Sequence, residues 1–105
     1  MDFQFNTDNN IEGTEEMASR AEARVRERLA RFETRLTRIE VHVRDIDGTT
    51  SGARGIEAVI EARPAGREPV SSSDRGTEPA AAVNAALAKL VTRLDSEFGK
   101  LDRLR

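Results

Sequence analysis

Residues 17–36 read MASRAEARVRERLARFETRL, and at about 100° per residue three kinds of side chain separate onto three sides of one helix. One side is apolar and suited to packing on a core. It carries Ala18, Ala21, Val25, Leu29, Phe32 and Leu36. A row of arginines lies directly beside it: Arg20, Arg24, Arg28, Arg31 and Arg35. The stretch therefore predicts a helix, with Thr14 as its N-cap, that runs to Leu36, packs on an apolar surface and presents guanidinium groups along one edge.

The arginine row has two interpretations. Surface helices commonly carry arginine, and Glu16 with Arg20, or Glu27 with Arg31, has the i to i+4 spacing that stabilises a helix by a few tenths of a kcal/mol. Under this interpretation the row is a solvated face. Alternatively, the row binds a polyanion, because arginine can bind phosphate bidentately and a helix holds its side chains at fixed spacing.

Four segments around this helix alternate with a period of two and predict strands. They are residues 2–6, 38–44, 56–63 and, more weakly, 68–73. Pro69 lacks a backbone donor, which favours an edge position for the fourth strand. The polar segment 47–55 is too hydrophilic to bury and predicts a loop with a mobile tip.

A second helix is predicted from Thr77 onward, with Pro79 tolerated in its first turn. Its apolar stripe consists of Val83, Leu87, Leu90, Leu94, Phe98 and Leu101. One flank of the stripe carries Lys89, Arg93 and Lys100, and the opposite flank carries Asn84, Asp95 and Asp102. The second helix thus repeats the charge sorting of the first.

The order of elements predicts an α+β fold of one domain over residues 1–105, a β-α-β-β-β-α two-layer sandwich. Both helices should cover one face of a four-stranded mixed sheet. The first helix should connect two parallel strands by a right-handed crossover. We expect the basic flanks of the two helices to contribute to a common positive surface.

Composition gives no support for an enzyme, a cofactor, a metal or a small-molecule substrate. The chain has no cysteine, and His42 is its only histidine, on the polar side of a strand. Glu40, Glu57 and Glu61 share their alternation with arginines and are interpreted as cross-strand ion pairs. Segment 52–55 lacks the Gly-Lys-Ser/Thr ending of a phosphate-binding loop. With no secretory signal and no membrane-spanning apolar run, a soluble cytoplasmic protein is expected.

The formal charge of −2 gives no sign of a polyanion partner, so nucleic-acid binding has to come from local sorting of charge. The chain has no tryptophan or tyrosine, which argues against a stacking platform for single strands. Recognition of folded RNA by its shape and backbone is the better match.

Residues 81–90 read AAVNAALAKL and continue to Arg93 and Leu94. In this segment and in the order of its elements, the chain resembles the ribosome hibernation promoting factor and ribosome-associated inhibitor family, also called sigma-54 modulation proteins. In that family the second helix typically opens with Tyr-Ala-Ala-Ile-Asp. Ala80 stands where the family usually has the aromatic residue, and Asn84 where it usually has aspartate. The resemblance covers nearly the whole chain and implies a divergent member.

This resemblance implies a double-stranded-RNA-binding-like topology that docks on the small ribosomal subunit, in the channel where mRNA and tRNA lie, and stops translation. It implies contacts from basic side chains to rRNA phosphates. The matching candidates are Arg20, Arg24, Arg28, Arg31, Arg35, Lys89, Arg93 and Lys100. Because the sequence stops soon after the second helix, the resemblance leads us to expect a short member, without the C-terminal dimerisation domain of long members. The free protein is expected to be a monomer or a weak dimer.

A second hypothesis is a protein-interaction module. Here the fourth strand offers its exposed edge to a second copy, and the arginine rows are merely solvated.

Overall fold

The computed structural model describes residues 1–8, 11–46 and 55–103. The elements in chain order are β1 (Asp2–Thr7), α1 (Glu15–Arg28), a 3-10 helix (Ala30–Arg35), β2 (Leu36–Asp45), β3 (Ile56–Pro64), β4 (Val70–Gly76) and α2 (Pro79–Arg103). This order confirms the predicted β-α-β-β-β-α sandwich. The loop predicted over 47–55 lies outside the described residues, apart from Gly55.

The four strands form one mixed sheet in the order β1-β2-β3-β4. β1 pairs with β2 in parallel, as predicted for strands joined by a helix, and the other two pairings are antiparallel. β4 lies at an edge and begins at Val70, directly after Pro69. The missing donor of that proline is therefore kept out of the ladder.

The core lies between one face of the sheet and the two helices. The predicted stripe of α2 is buried from Val83 to Phe98, and Leu101 at its end is half-buried. α2 packs mainly on β3 and β4, whereas α1 lies near β1 and α2. Within the described ranges, neither helix is long and apolar enough to cross a bilayer.

The predicted continuation of the first helix to Leu36 is wrong. α1 begins after the N-cap Thr14, whose Oγ1 accepts a hydrogen bond from the Met17 amide at 3.0 Å, and it ends at Arg28. Leu29 closes it by donating its amide proton to the Val25 carbonyl at 2.9 Å. The chain then tightens into the 3-10 helix before entering β2. Both kinds of helix place residues three apart on one side, so Leu29 and Phe32 are buried in either.

Candidate nucleic-acid interface

Arg31 and Arg35, the last two members of the arginine row, are bound to α2. Arg31 donates two hydrogen bonds to the Asp95 carboxylate, and the one to Oδ2 measures 2.8 Å. Arg35 Nη2 lies 3.4 Å from Asp102 Oδ1. Glu27, which has the helical spacing for a pair with Arg31, is not its partner. The carboxylates that neutralise these two arginines therefore come from the other helix.

Two phenylalanine rings support the same pair of arginines. The Arg31 guanidinium carbon lies 4.4 Å from the centre of the Phe32 ring, and that of Arg35 lies 3.9 Å from the centre of Phe98. The two rings are themselves 5.5 Å apart. Hydrogen bonds from Arg31 hold the pKa of Asp95 below its usual value, so the carboxylate stays ionised to a lower pH than an unpaired aspartate. The arrangement joins the 3-10 helix to the C-terminal half of α2.

Arg20, Arg24 and Arg28 form the part of the row that α1 carries, and all three are exposed. Arg20 is paired with Glu16 on its own helix at 2.5 Å. Within the part of the chain that the structure describes, Arg24 and Arg28 take part in no hydrogen bond or ion pair. Surface pairs of the Arg20 kind contribute little to stability, so this section of the row is available to an external anion.

An open cleft of about 830 Å³ separates the N-terminal halves of α1 and α2. Its lining includes the apolar side chains of Phe5 and Val83 together with Arg24. Glu27 and Glu78 also line it, so the cleft is mixed in charge. Along this half of the boundary Arg24 has no ion pair with a described residue, whereas Arg31 and Arg35 are paired with carboxylates of α2 further along.

The basic flank of α2 points toward the edge of the sheet. Lys89 Nζ donates to the Ser73 carbonyl at 3.3 Å and lies 3.3 Å from the Asp74 carboxylate. Arg93 donates to the Ser71 carbonyl at 2.5 Å. Both side chains thus cap the backbone of β4. Lys100, further along α2, is exposed and, among the described residues, has no hydrogen-bond or ion-pair partner.

The prediction that the two basic flanks form one positive surface is wrong. α1 lies near β1, and α2 lies over β3 and β4, so the flank of α2 with Lys89 and Arg93 faces away from α1. The flank that meets the arginine row is the acidic one, with Asp95 and Asp102. Periodicity assigned both flanks of α2 correctly, but it could not tell which of them faces the other helix.

The same contacts bear on the hypothesis of a dimer through β4. An added strand would need the unpaired backbone groups of this edge. Ser71 and Ser73 already use their carbonyls to accept hydrogen bonds from Arg93 and Lys89. Charged side chains on an edge strand are a common protection against strand addition. The geometry therefore disfavours β4 as a docking edge.

The open face of the sheet carries ion pairs. Arg44 reaches Glu57 across the strands at 2.7 Å, which confirms one predicted cross-strand pair. Glu40 and Glu61 instead pair along their own strands, with Arg38 at 3.3 Å and Arg63 at 3.2 Å. Over the described residues, no group of three histidine, aspartate or glutamate side chains could hold a metal ion.

One contact was not foreseen from the sequence. Arg26 bonds Glu22 on α1 at 2.8 Å and donates to the Met1 carbonyl at 3.1 Å, which ties the start of β1 to the helix. The i to i+4 spacing of Glu22 and Arg26 was the available signal. The bond to Met1 depends on tertiary placement and has no signature in the sequence.

The fold and its arginine-lined helix define a small α+β domain with a charged helical layer on one face of a mixed sheet. A family profile described as Sigma 54 modulation protein / S30EA ribosomal protein matches residues 6–102. The chain therefore belongs to this family, which consists of ribosome-associated hibernation and modulation factors. Comparison with curated protein sequences finds no significant match.

Solved structures show the same fold. The N-terminal domain of Protein Y from Thermus thermophilus superimposes with a TM-score of 0.72 at 20% identity, covering 91% of this chain and 98% of that one. A ribosomal subunit interface protein from Coxiella burnetii superimposes with a TM-score of 0.66 at 12% identity, covering 94% and 99%. The fold is that of the Protein Y N-terminal domain, and the description as double-stranded-RNA-binding-like is only approximate.

Proposed function

We propose that this protein binds the small ribosomal subunit and holds the ribosome in a dormant state. The observation that carries the proposal is the family match over residues 6–102, joined to a row of exposed arginines on α1. Occupation of the channel that takes mRNA and tRNA is the inhibitory mechanism. The protein acts in the cytoplasm without catalysis, and away from the ribosome it is a monomer or a weak dimer.

The contacts to rRNA are proposed to centre on α1. Arg24 and Arg28 are exposed and, in the described part of the chain, free of internal partners, and Arg20 has only a surface pair. Successive members are four residues apart, which is about 6 Å along the helix axis. A rigid row of this kind suits binding to the backbone of folded RNA. Lys100 on α2 is a further cation without a partner among the described residues, whereas Lys89 and Arg93 also bind the backbone of β4.

The phenylalanines offer little for base stacking. Phe32 and Phe98 are buried, and Phe3 and Phe5 are half-buried against the core. Binding that depends on phosphate contacts releases counterions, so the affinity should fall steeply with salt. A steep salt dependence is therefore the expected signature of the interaction.

Co-sedimentation with purified small subunits at two salt concentrations tests the proposal. Arg24→Glu and Arg28→Glu should each weaken binding and lower the slope of log affinity against log salt by roughly 0.7–0.9 for each phosphate that the variant no longer neutralises. The matched control is Arg67→Glu, which makes the same charge change at an exposed arginine in the turn between β3 and β4. Competition by tRNA or mRNA then tests the channel.

Two results would overturn the proposal at different levels. If the wild-type protein stays in the supernatant at low salt, ribosome binding itself is refuted. If it sediments but Arg24→Glu and Arg28→Glu behave like Arg67→Glu, the assignment of the contact surface to α1 is refuted.

A further inference from the structure

The ion pairs between the 3-10 helix and α2 point to a role for two carboxylates that family membership does not assign. We propose that Asp95 and Asp102 occupy Arg31 and Arg35 in place of phosphate, and so restrain the free protein from binding RNA indiscriminately. This inference rests on the proposed function, because it treats the arginine row as an RNA-binding surface. Asp95 and Asp102 are then specificity-determining residues of that surface.

The geometry of the Arg31 pair is the one that phosphate would adopt. Arg31 forms two hydrogen bonds with the Asp95 carboxylate, and a guanidinium binds phosphate with the same two-pronged contact. The Phe32 ring supports the guanidinium plane. Arg31 makes the ring contact and both hydrogen bonds at the same time, so the ring leaves the two Nη atoms accessible to an acceptor. A phosphate can therefore replace the carboxylate while the arginine keeps its place on the ring.

Exposure makes such an exchange easy. The Arg31 and Asp95 side chains are 58% and 46% exposed, and those of Arg35 and Asp102 are 38% and 58% exposed. Ion pairs in water-exposed positions contribute little net stability, so breaking one is not a large barrier. The released carboxylate then attracts a cation, which cancels part of the counterion release that drives RNA binding. The carboxylates thus act as competitors that weaken binding.

The position of the competitors along the row is also informative. Arg24 lines the cleft and has no ion pair with a described residue, although Glu27 and Glu78 line the cleft too, whereas Arg31 is paired with Asp95 further along α2. Along the boundary between the helices, the arginine at one end therefore has no carboxylate partner in the described chain, and the arginines at the other end are paired with aspartates. An RNA that contacts only the unpaired arginines therefore gains no binding energy from Arg31 and Arg35 while the aspartates hold them.

The test compares Asp95→Asn/Asp102→Asn with Glu33→Gln/Glu97→Gln. Both double variants raise the net charge by two. The aspartate variant does so on α2 alone, and the glutamate variant does so on the 3-10 helix and α2. In the described chain neither Glu33 nor Glu97 is ion-paired, so the glutamate variant is the control. The probe is a short RNA duplex of arbitrary sequence, titrated by fluorescence anisotropy at several salt concentrations.

We expect the aspartate variant to bind the duplex about threefold or more tightly than the control variant. Its slope of log affinity against log salt should be steeper by roughly 1.4–1.8, as for two added phosphate contacts. Adding Arg31→Gln and Arg35→Gln to the aspartate variant should abolish the gain. A purely structural role for the pairs predicts a lower melting temperature with no gain in affinity.

The inference is overturned if the aspartate variant, folded by circular dichroism, binds the duplex no more tightly than the control. It is also overturned if the gain survives removal of both arginines. Co-sedimentation of the wild-type protein with small subunits tests the proposed function separately. Failure there leaves the duplex comparison intact, so the two failures are distinguishable.

Discussion

Gly76 sets the distance between the end of β4 and the start of α2, and Gly76→Ala should destabilise the protein. A Cβ atom at this position would lie 2.8 Å from the Ala82 amide nitrogen and 3.0 Å from the Ala81 Cβ. These atoms belong to the first turns of α2, and a backbone nitrogen cannot rotate away as a flexible side chain can. The helix start has to move off the sheet to accommodate the methyl group.

Three glycine-to-alanine substitutions in the same chain separate the cost of close packing at Gly76 from the other effects of adding a methyl group. Overpacking of this kind costs about 1–3 kcal/mol at Gly76. Gly99 lies within α2 and has no atom within 4 Å of the new methyl group, so Gly99→Ala should stabilise by about 0.5–1 kcal/mol. Gly66 is equally open but has a φ of 68°, so Gly66→Ala should destabilise by about 1 kcal/mol through backbone strain alone.

Urea denaturation and thermal melting followed by circular dichroism measure all three variants. At about 4 °C per kcal/mol, Gly76→Ala should lower the melting temperature by about 4–12 °C, and Gly99→Ala should raise it by about 2–4 °C. The denaturant slope should stay unchanged if only the native state is affected. If Gly76→Ala is as stable as the wild type while Gly99→Ala behaves as expected, the close approach of β4 to α2 is refuted.

Three further substitutions or conditions follow from the same structure. Thr14→Ala removes the N-cap of α1 and should cost about 1 kcal/mol in urea denaturation, whereas Thr14→Ser should restore most of it. Lys89→Ala with Arg93→Ala uncaps the β4 carbonyls, so light scattering should show stronger concentration-dependent association than in the wild type; equal association of the two proteins would contradict edge protection. The pKa of Asp95 is lower in the folded protein than in the unfolded chain, so its contact with Arg31 stabilises the fold above the ordinary aspartate pKa. This stabilisation is lost as the pH falls through the pKa of the folded state. The melting temperatures of the wild type and Asp95→Asn should therefore converge below about pH 4.

Strands and buried faces were predictable because β2, β3 and β4 each have one buried side, β1 has one half-buried side, and α2 has one continuous stripe. The end of α1 was not predictable, because an α-helix and a 3-10 helix both bring residues i and i+3 close together, and the apolar pattern reports only this spacing. An α-helix turns by about 100° per residue and a 3-10 helix by about 120°, so six residues shift the faces by about 120° in total. The change of helix type divides the predicted arginine row into α1 and 3-10 sections, but the apolar pattern does not report it, because Phe32, the one buried residue of the 3-10 helix, follows Leu29 by three positions.

The chemical role of each arginine depends on one fact that periodicity cannot supply, namely which flank of α2 faces α1. Asp95 and Asp102 share a flank because they are seven residues apart, about two helical turns. Had the opposite flank faced α1, Arg31 would have met a like charge instead of Asp95. The topology decides the matter, since α1 covers the β1 side of the sheet and α2 covers β3 and β4. Once this is fixed, Arg31 and Arg35 are neutralised, whereas Arg24 and Arg28, for which no described carboxylate is a partner, remain available to an anion outside the chain.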